Sequence, residues 1–160
     1  MLINTDQLKK IIDVCHIHLK RLNVAHQNIQ SLFPITETVY QSLSGEKIAF
    51  LDQYIFRFAK LQDTIGDKLF KQILIISDEQ VENLSFRDIL NKIEKFGIIN
   101  DRNEWIQMRE IRNDVSHEYP VISDEAIVAL NNIYQLKVRL EMVFESCLQY
   151  LNLSIGFNEF

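Results

Sequence analysis

EKIAFLDQYIFRFAKLQDTIGDKLFKQILI, residues 46–75, is the stretch on which the fold turns. Leu51, Tyr54, Ile55, Phe58, Leu61, Ile65, Leu69 and Ile73 cluster on one stripe when plotted at 100° per residue, so the spacing predicts a long helix over 46–75. Two aromatics miss that stripe. Phe56 and Phe70 fall on the opposite side among Asp52, Lys60, Asp63 and Asp67, and apolar rings on a charged face predict a partner surface there.

The segments on either side carry the same period. Leu8, Ile11, Ile12, Cys15, Leu19, Leu22, Ala25, Ile29 and Leu32 predict a first helix over 5–32 with Thr5 as its N-cap. FPITETVYQSLSGEK, residues 33–47, contains Pro34 and Gly45 and reads as a connection holding a short turn of helix. Ser85 and Asp88 have the spacing of a capping box, predicting a short helix over 86–96 that ends near Gly97. Asp101 and Glu104 repeat that pattern ahead of a helix stopped by Pro120. Asp124 and Glu125 favour the start of a last helix whose stripe, Leu130, Ile133, Leu136, Leu140, Phe144, Cys147, Leu148 and Leu151, runs to about residue 152. Residues in 151–160 are expected to form a loosely held tail.

At 160 residues and 47% apolar content the chain supports one hydrophobic core, so residues 1–160 are expected to be a single domain. Four glycines and two prolines are too few for an all-β domain with many tight turns. The expected fold is all-α, an up-and-down bundle of four principal helices plus a short one. A net charge of −5 excludes a broadly basic, nucleic-acid-coating surface, so any contact with nucleic acid must be local. No apolar run is long enough for a signal peptide or membrane span, which leads to an expected cytoplasmic location and no membrane partner. Cys15 and Cys147 lie in helical stripes and read as buried thiols packing as small hydrophobes.

REIRNDVSHEYP, residues 109–120, carries the chemistry. Trp105, Met108, Ile111 and Val115 mark the core side of this helix, and Arg112 falls inside that arc. A guanidinium there must reach an acid, an interface or a cleft where its charge is used. His117 lies about 140° round and about 7.5 Å along an ideal helix from Arg112, too far for the pair to converge unaided on one small group. Two copies of the helix about a two-fold axis would surround a shared groove with both residue types, so the geometry favours a homodimer.

Arg112, His117 and Tyr119, with Asn113 after the arginine, form the pattern R-x4-H-x-Y as RNDVSHEY. From seven Arg, four His and five Tyr, that spacing arises by chance in about one such chain in 200. It resembles the signature of the HEPN ribonuclease family, and within it the HepT-type toxins. The resemblance implies a metal-independent endoribonuclease, without cofactor or bound metal, working at a homodimer interface. In that chemistry a histidine moves the proton of a ribose 2′-OH or of the leaving 5′-oxygen, and Arg112 stabilises the charge on the phosphorane. Asn113 adds a hydrogen bond to His117 or the phosphate. The nucleophile is the substrate's own 2′-OH, so the implied substrate is RNA and not DNA. The motif tyrosine of HepT-like toxins is similar to the one that a cognate minimal nucleotidyltransferase antitoxin of the MntA type modifies with AMP. The implied system is thus a type VII-like toxin–antitoxin pair neutralised by AMPylation of Tyr119.

Each residue also has a plainer reading. Arg112 alone fits a structural ion pair with Asp63 or Asp67. His117 fits a histidine favoured by the helix dipole, and Tyr119 a core-edge ring with its hydroxyl in water. His16, His18 and His26 read as a solvated face of the first helix, Asp63 and Asp67 as exposed charge, and Ser116 as no nucleophile. Two other functions compete with the ribonuclease: a non-catalytic substrate-binding or adaptor subunit of a minimal nucleotidyltransferase, and an interaction module whose dimer is purely structural.

Overall fold

The computed structural model describes residues 4–157, and all regular structure among the described residues is helical. Helix α1 covers Thr5–Ile29 and tightens into a 3-10 turn, Gln30–Leu32. The short α2, Glu37–Gln41, is followed by α3, Gly45–Thr64. A π-turn, Ile65–Leu69, joins α3 to α4, Phe70–Ile76, so the backbone stays helical from 45 to 76. Then come α5, Phe86–Lys95, α6, Arg102–Glu118, and α7, Asp124–Ile155. No helix is long and apolar enough to cross a membrane.

Side chains that satisfy otherwise unpaired backbone groups set the helix starts. The Asn4 side chain, not Thr5, accepts the Gln7 N–H at 3.1 Å and caps α1. Ser44 accepts the Lys47 N–H at 3.2 Å and starts α3. Ser85 and Asp88 make both halves of the expected capping box, each at 3.1 Å. At α6 the box is incomplete. Asp101 accepts the Asn103 N–H at 2.8 Å, while the Glu104 carboxylate points to Arg139, 3.9 Å away. Helix α7 runs past 152 to Ile155 and ends where Gly156 adopts φ 63°, which shortens the expected tail; residues 158–160 lie outside the described residues.

Helix α1 lies along α3, and α6 along α7. The core between them includes Leu8, Ile12, Tyr54, Phe58, Trp105 and Phe144, all but sealed from solvent. Cys15 and Cys147 are fully buried, and burial pushes the Cys147 thiol well above its usual pKa. Asn131 of α7 pairs with the Ile35 peptide as a second backbone would, accepting its N–H at 2.8 Å and donating to its carbonyl at 2.9 Å. That clamps the connection before α2 onto α7. His26 departs from the solvated-face expectation. Its ring stacks on Tyr134 at 5.2 Å, which stacks on Phe33 at 4.0 Å, so it belongs to an aromatic layer.

The π-turn corrects the expectation for Phe70. An i→i+5 bond from the Phe70 N–H to the Ile65 carbonyl inserts one extra residue into the turn. Every later side chain is rotated by about 100° relative to an unbroken helix. Phe70 therefore swings off the charged face and into the core, fully buried with its ring centroid 4.9 Å from that of Trp105. Gly66 makes room for this contact. A Cβ there would stand 3.1 Å from the Trp105 ring, tighter than ordinary packing. Phe56, ahead of the turn, keeps its expected phase and is 48% exposed. Phe70→Ala should cost about 3–5 kcal/mol in denaturant unfolding, whereas Phe56→Ala should change stability by no more than about 0.5 kcal/mol; equal effects would contradict the phase shift.

Candidate functional site

Helix α6 places the motif by sinking Trp105, Met108 and Val115 into the core, which fixes the rotation of everything after them. Arg112 emerges at the edge of that buried arc with its side chain 13% exposed. Its guanidinium donates to the Asp63 carboxylate of α3 and, through the second terminal nitrogen, to Asn113 Oδ1 at 3.2 Å. The plainer reading of Arg112, an ion pair with Asp63, is therefore what the protein contains. A guanidinium has five N–H donors, so two hydrogen bonds leave others available to a ligand. Asp67, one turn beyond Asp63, is exposed.

His117 is exposed, and its ring makes no hydrogen bond among the described residues. It stands between Asp114 and Glu118, which with Asp124, Glu125 and Val128 line a groove of about 450 Å³ between α6 and α7. Ser116 donates its hydroxyl to the Arg112 carbonyl at 3.2 Å, an intrahelical bond that occupies the proton. Arg112 and Asn113 are thus brought together, while no hydrogen bond joins His117 to either.

Tyr119 closes α6 in extended conformation, its N–H donating to the Val115 carbonyl at 2.9 Å. Its hydroxyl donates to the Asp52 carboxylate of α3 at a solvent-exposed edge, so the ring sits at the core's border as its plainer reading expects. The ring packs edge-on against Tyr40 of α2, centroids 6.2 Å apart, and Tyr40 in turn donates to the Pro120 carbonyl at 3.2 Å. Burial first, and then the hydrogen bond and negative charge of Asp52, hold the Tyr119 pKa well above the usual phenol value.

Asp52 and Tyr40 were not among the site residues expected from sequence. Asp52 and Asp63 are eleven residues apart, which on an ideal helix returns to within about 20° of the same face, so one stripe of α3 holds both ends of the motif. That periodicity is visible in the sequence; its pairing with α6 is not. Phe56 lies on the same stripe between the two acids. Phe70 is remote from it, in the core.

Comparison with known proteins identifies the class to which this helical chain belongs. The chain belongs to the family described as "Nucleotidyltransferase substrate binding protein like", whose model matches residues 20–143, and so to the HepT-type HEPN proteins. Over 44 residues it is 36% identical to the "Probable ribonuclease HepT" of Haemophilus influenzae, covering 28% of this chain and 30% of that relative's length. No solved structure matches the chain.

The Tyr119 geometry has a titration signature. The folded protein holds this phenolic proton more tightly than the unfolded chain does, so its contribution to stability is fully present below the unfolded pKa of about 10 and is lost as pH rises above it. Asp52→Ala should shift the Tyr119 ionisation down toward 10, read as the difference in alkaline ultraviolet titration between each protein and its Tyr119→Phe counterpart. An unchanged titration would mean that Asp52 does not act on the hydroxyl.

Proposed function

We propose that this protein is an RNA-cleaving toxin of a type VII-like toxin–antitoxin system, acting in the cytoplasm as a homodimer of up-and-down helical bundles. The observation that carries the reading is the state of the motif pair: His117 is exposed with no hydrogen bond among the described residues, while Arg112, on another side of the same helix, is held by Asp63 and Asn113 with donors to spare. A guanidinium pinned by a carboxylate does not have to reorganise when charge builds on a phosphorane, which is the condition for electrostatic stabilisation. His117 takes the proton of the ribose 2′-OH or gives one to the departing 5′-oxygen. Since the two residues diverge by about 140° on one helix, the cleft draws on two protomers. The mechanism uses the substrate's own hydroxyl and no metal, so DNA is not cleaved.

Tyr119 supplies the control point. A cognate minimal nucleotidyltransferase of the MntA type transfers the adenylyl group of ATP to its hydroxyl oxygen, releasing pyrophosphate and the phenolic proton, so the hydrogen bond to Asp52 is lost. The new phosphodiester carries negative charge that Arg112 attracts and Asp52 repels, so it occupies the place of substrate phosphate. A second reading, a non-catalytic subunit that binds substrate for a nucleotidyltransferase, is favoured by the description of the matched family and by the ion pair that engages Arg112 within a single protomer.

Purified protein should cleave RNA in the presence of EDTA and leave a 2′,3′-cyclic phosphate end. His117→Ala and Arg112→Ala should each lose about 10²–10⁴-fold in rate while remaining folded; wild type and variants that are equally inert would leave the subunit reading in place. Co-expression with an MntA-type transferase should add the mass of one adenylyl group, AMP less water, to Tyr119, and a tyrosine found unmodified by mass spectrometry would remove the control step.

A further inference from the structure

Around Phe56 cations gather that form no salt bridge among the described residues. The ring is 48% exposed, with the Arg57 guanidinium 5.0 Å and the Lys60 ammonium 5.5 Å from its centroid. Arg57 also reaches across to α1, where it donates to His18 Nδ1 at 3.0 Å. A guanidinium has no acceptor, so that imidazole nitrogen accepts and the ring is neutral. Burial, followed by the fields of Arg57, Lys60 and Arg21, keeps the His18 pKa below its usual value, which groups all three cations about one point on the α1–α3 surface. None of the three forms a salt bridge among the described residues, and the buried Nε of Arg57 has no hydrogen-bond partner. In a chain of net charge −5 this is a local exception.

The cluster adjoins the motif. Asp52 and Asp63 hold Tyr119 and Arg112. On an ideal helix Phe56 lies within about 40° of both acids, about 6 Å along the axis from the first and about 10 Å from the second. An exposed aromatic face among unpaired cations is what a nucleobase with flanking phosphates recognises. A protein partner would need more apolar surface than one ring. A groove of about 410 Å³ lined by Arg21, Val24, Glu46, Ala49, Phe50 and Gln53 does not include Phe56.

We infer that Phe56, Arg57 and Lys60 form a base-stacking subsite for single-stranded RNA beside the scissile phosphate, with Phe56 carrying the base and Lys60 and Arg21 the adjoining phosphates. This rests on the ribonuclease reading of Arg112 and His117. It explains how an acidic protein holds a polyanion: contact is confined to one short basic segment, and stacking supplies affinity that does not depend on net charge.

The test uses the full chain and two fluorescein-labelled strands that it cannot cut, 2′-O-methyl oligouridine and an abasic 2′-O-methyl strand of the same length. Fluorescence anisotropy should show wild type binding the base-bearing strand about tenfold more tightly. Phe56→Ala should abolish that preference and Phe56→Trp retain it. Lys60→Ala should weaken both strands alike and reduce the salt slope by about 0.7. Equal binding of the two strands by wild type, or a preference that survives Phe56→Ala, overturns the subsite; if ordinary RNA is still cleaved in that case, the ribonuclease reading stands without it. A chain that neither binds nor cleaves RNA removes both, and loss of the dimer in sedimentation of Phe56→Ala would then assign the ring to a protein interface.

Discussion

The π-turn at Ile65–Leu69 sets the phase of a backbone that is helical from 45 to 76, and the rest of the molecule is arranged on either side of that phase. Before the turn, α3 turns Asp52 and Asp63 to Tyr119 and Arg112, leaves Phe56 exposed, and packs Tyr54, Phe58 and Leu61 into the core. After it, Phe70 joins Leu69, Ile73 and Leu74 inside. Trp105 contributes to both halves, because its ring meets Phe70 and would crowd a Cβ at Gly66. A straight helix would leave Phe70 in water, and Trp105 would lose the ring it packs against.

That placement of α3 explains how α6 carries polar groups so near its buried arc. Arg112 is mostly shielded from solvent, and a shielded guanidinium without a counter-charge is costly, so Asp63 is a structural requirement before it has any other role. Tyr119 makes a similar demand on Asp52. The two acids hold the ends of the motif, and His117 between them is left to solvent. In the proposed ribonuclease, the imidazole that would transfer a proton is the one that makes no hydrogen bond to the fold among the described residues.

Charge is unevenly distributed around the site. The groove between α6 and α7 is lined by Asp114, Glu118, Asp124 and Glu125, whereas Arg21, Arg57 and Lys60 gather where α1 meets α3. The acids of the first side flank His117 and oppose a polyanion there, so the proposed RNA strand depends on the cations along α3 to hold it against that local repulsion. The overall negative charge and a nucleic-acid substrate are compatible for this reason. The sign of the local field, not of the whole chain, governs approach.

Much of this was legible before any coordinates. Stripes at a period of 3.6 marked the long helices, and Ser85 with Asp88 marked a start that side-chain hydrogen bonds confirm. Helix period and caps are local, decided by residues within a turn or two of one another. Thr5 was a poor choice of cap only because Asn4 competes one position away. Phe70 could not be read correctly from its own segment. An extra residue in a turn is adopted when a distant partner, here Trp105, repays the distortion with packing. The same holds for the motif: its spacing is written in the chain, and Asp63 is one of the two acids that the sequence offers Arg112. The contact of Tyr119 with Asp52 and Tyr40, and the aromatic layer that takes His26 out of solvent, arise only when helices far apart in sequence are laid side by side. Local hydrogen bonding and hydrophobic period reside in neighbouring residues, but the partner of a buried charge or ring is chosen by packing, which no short stretch of chain contains.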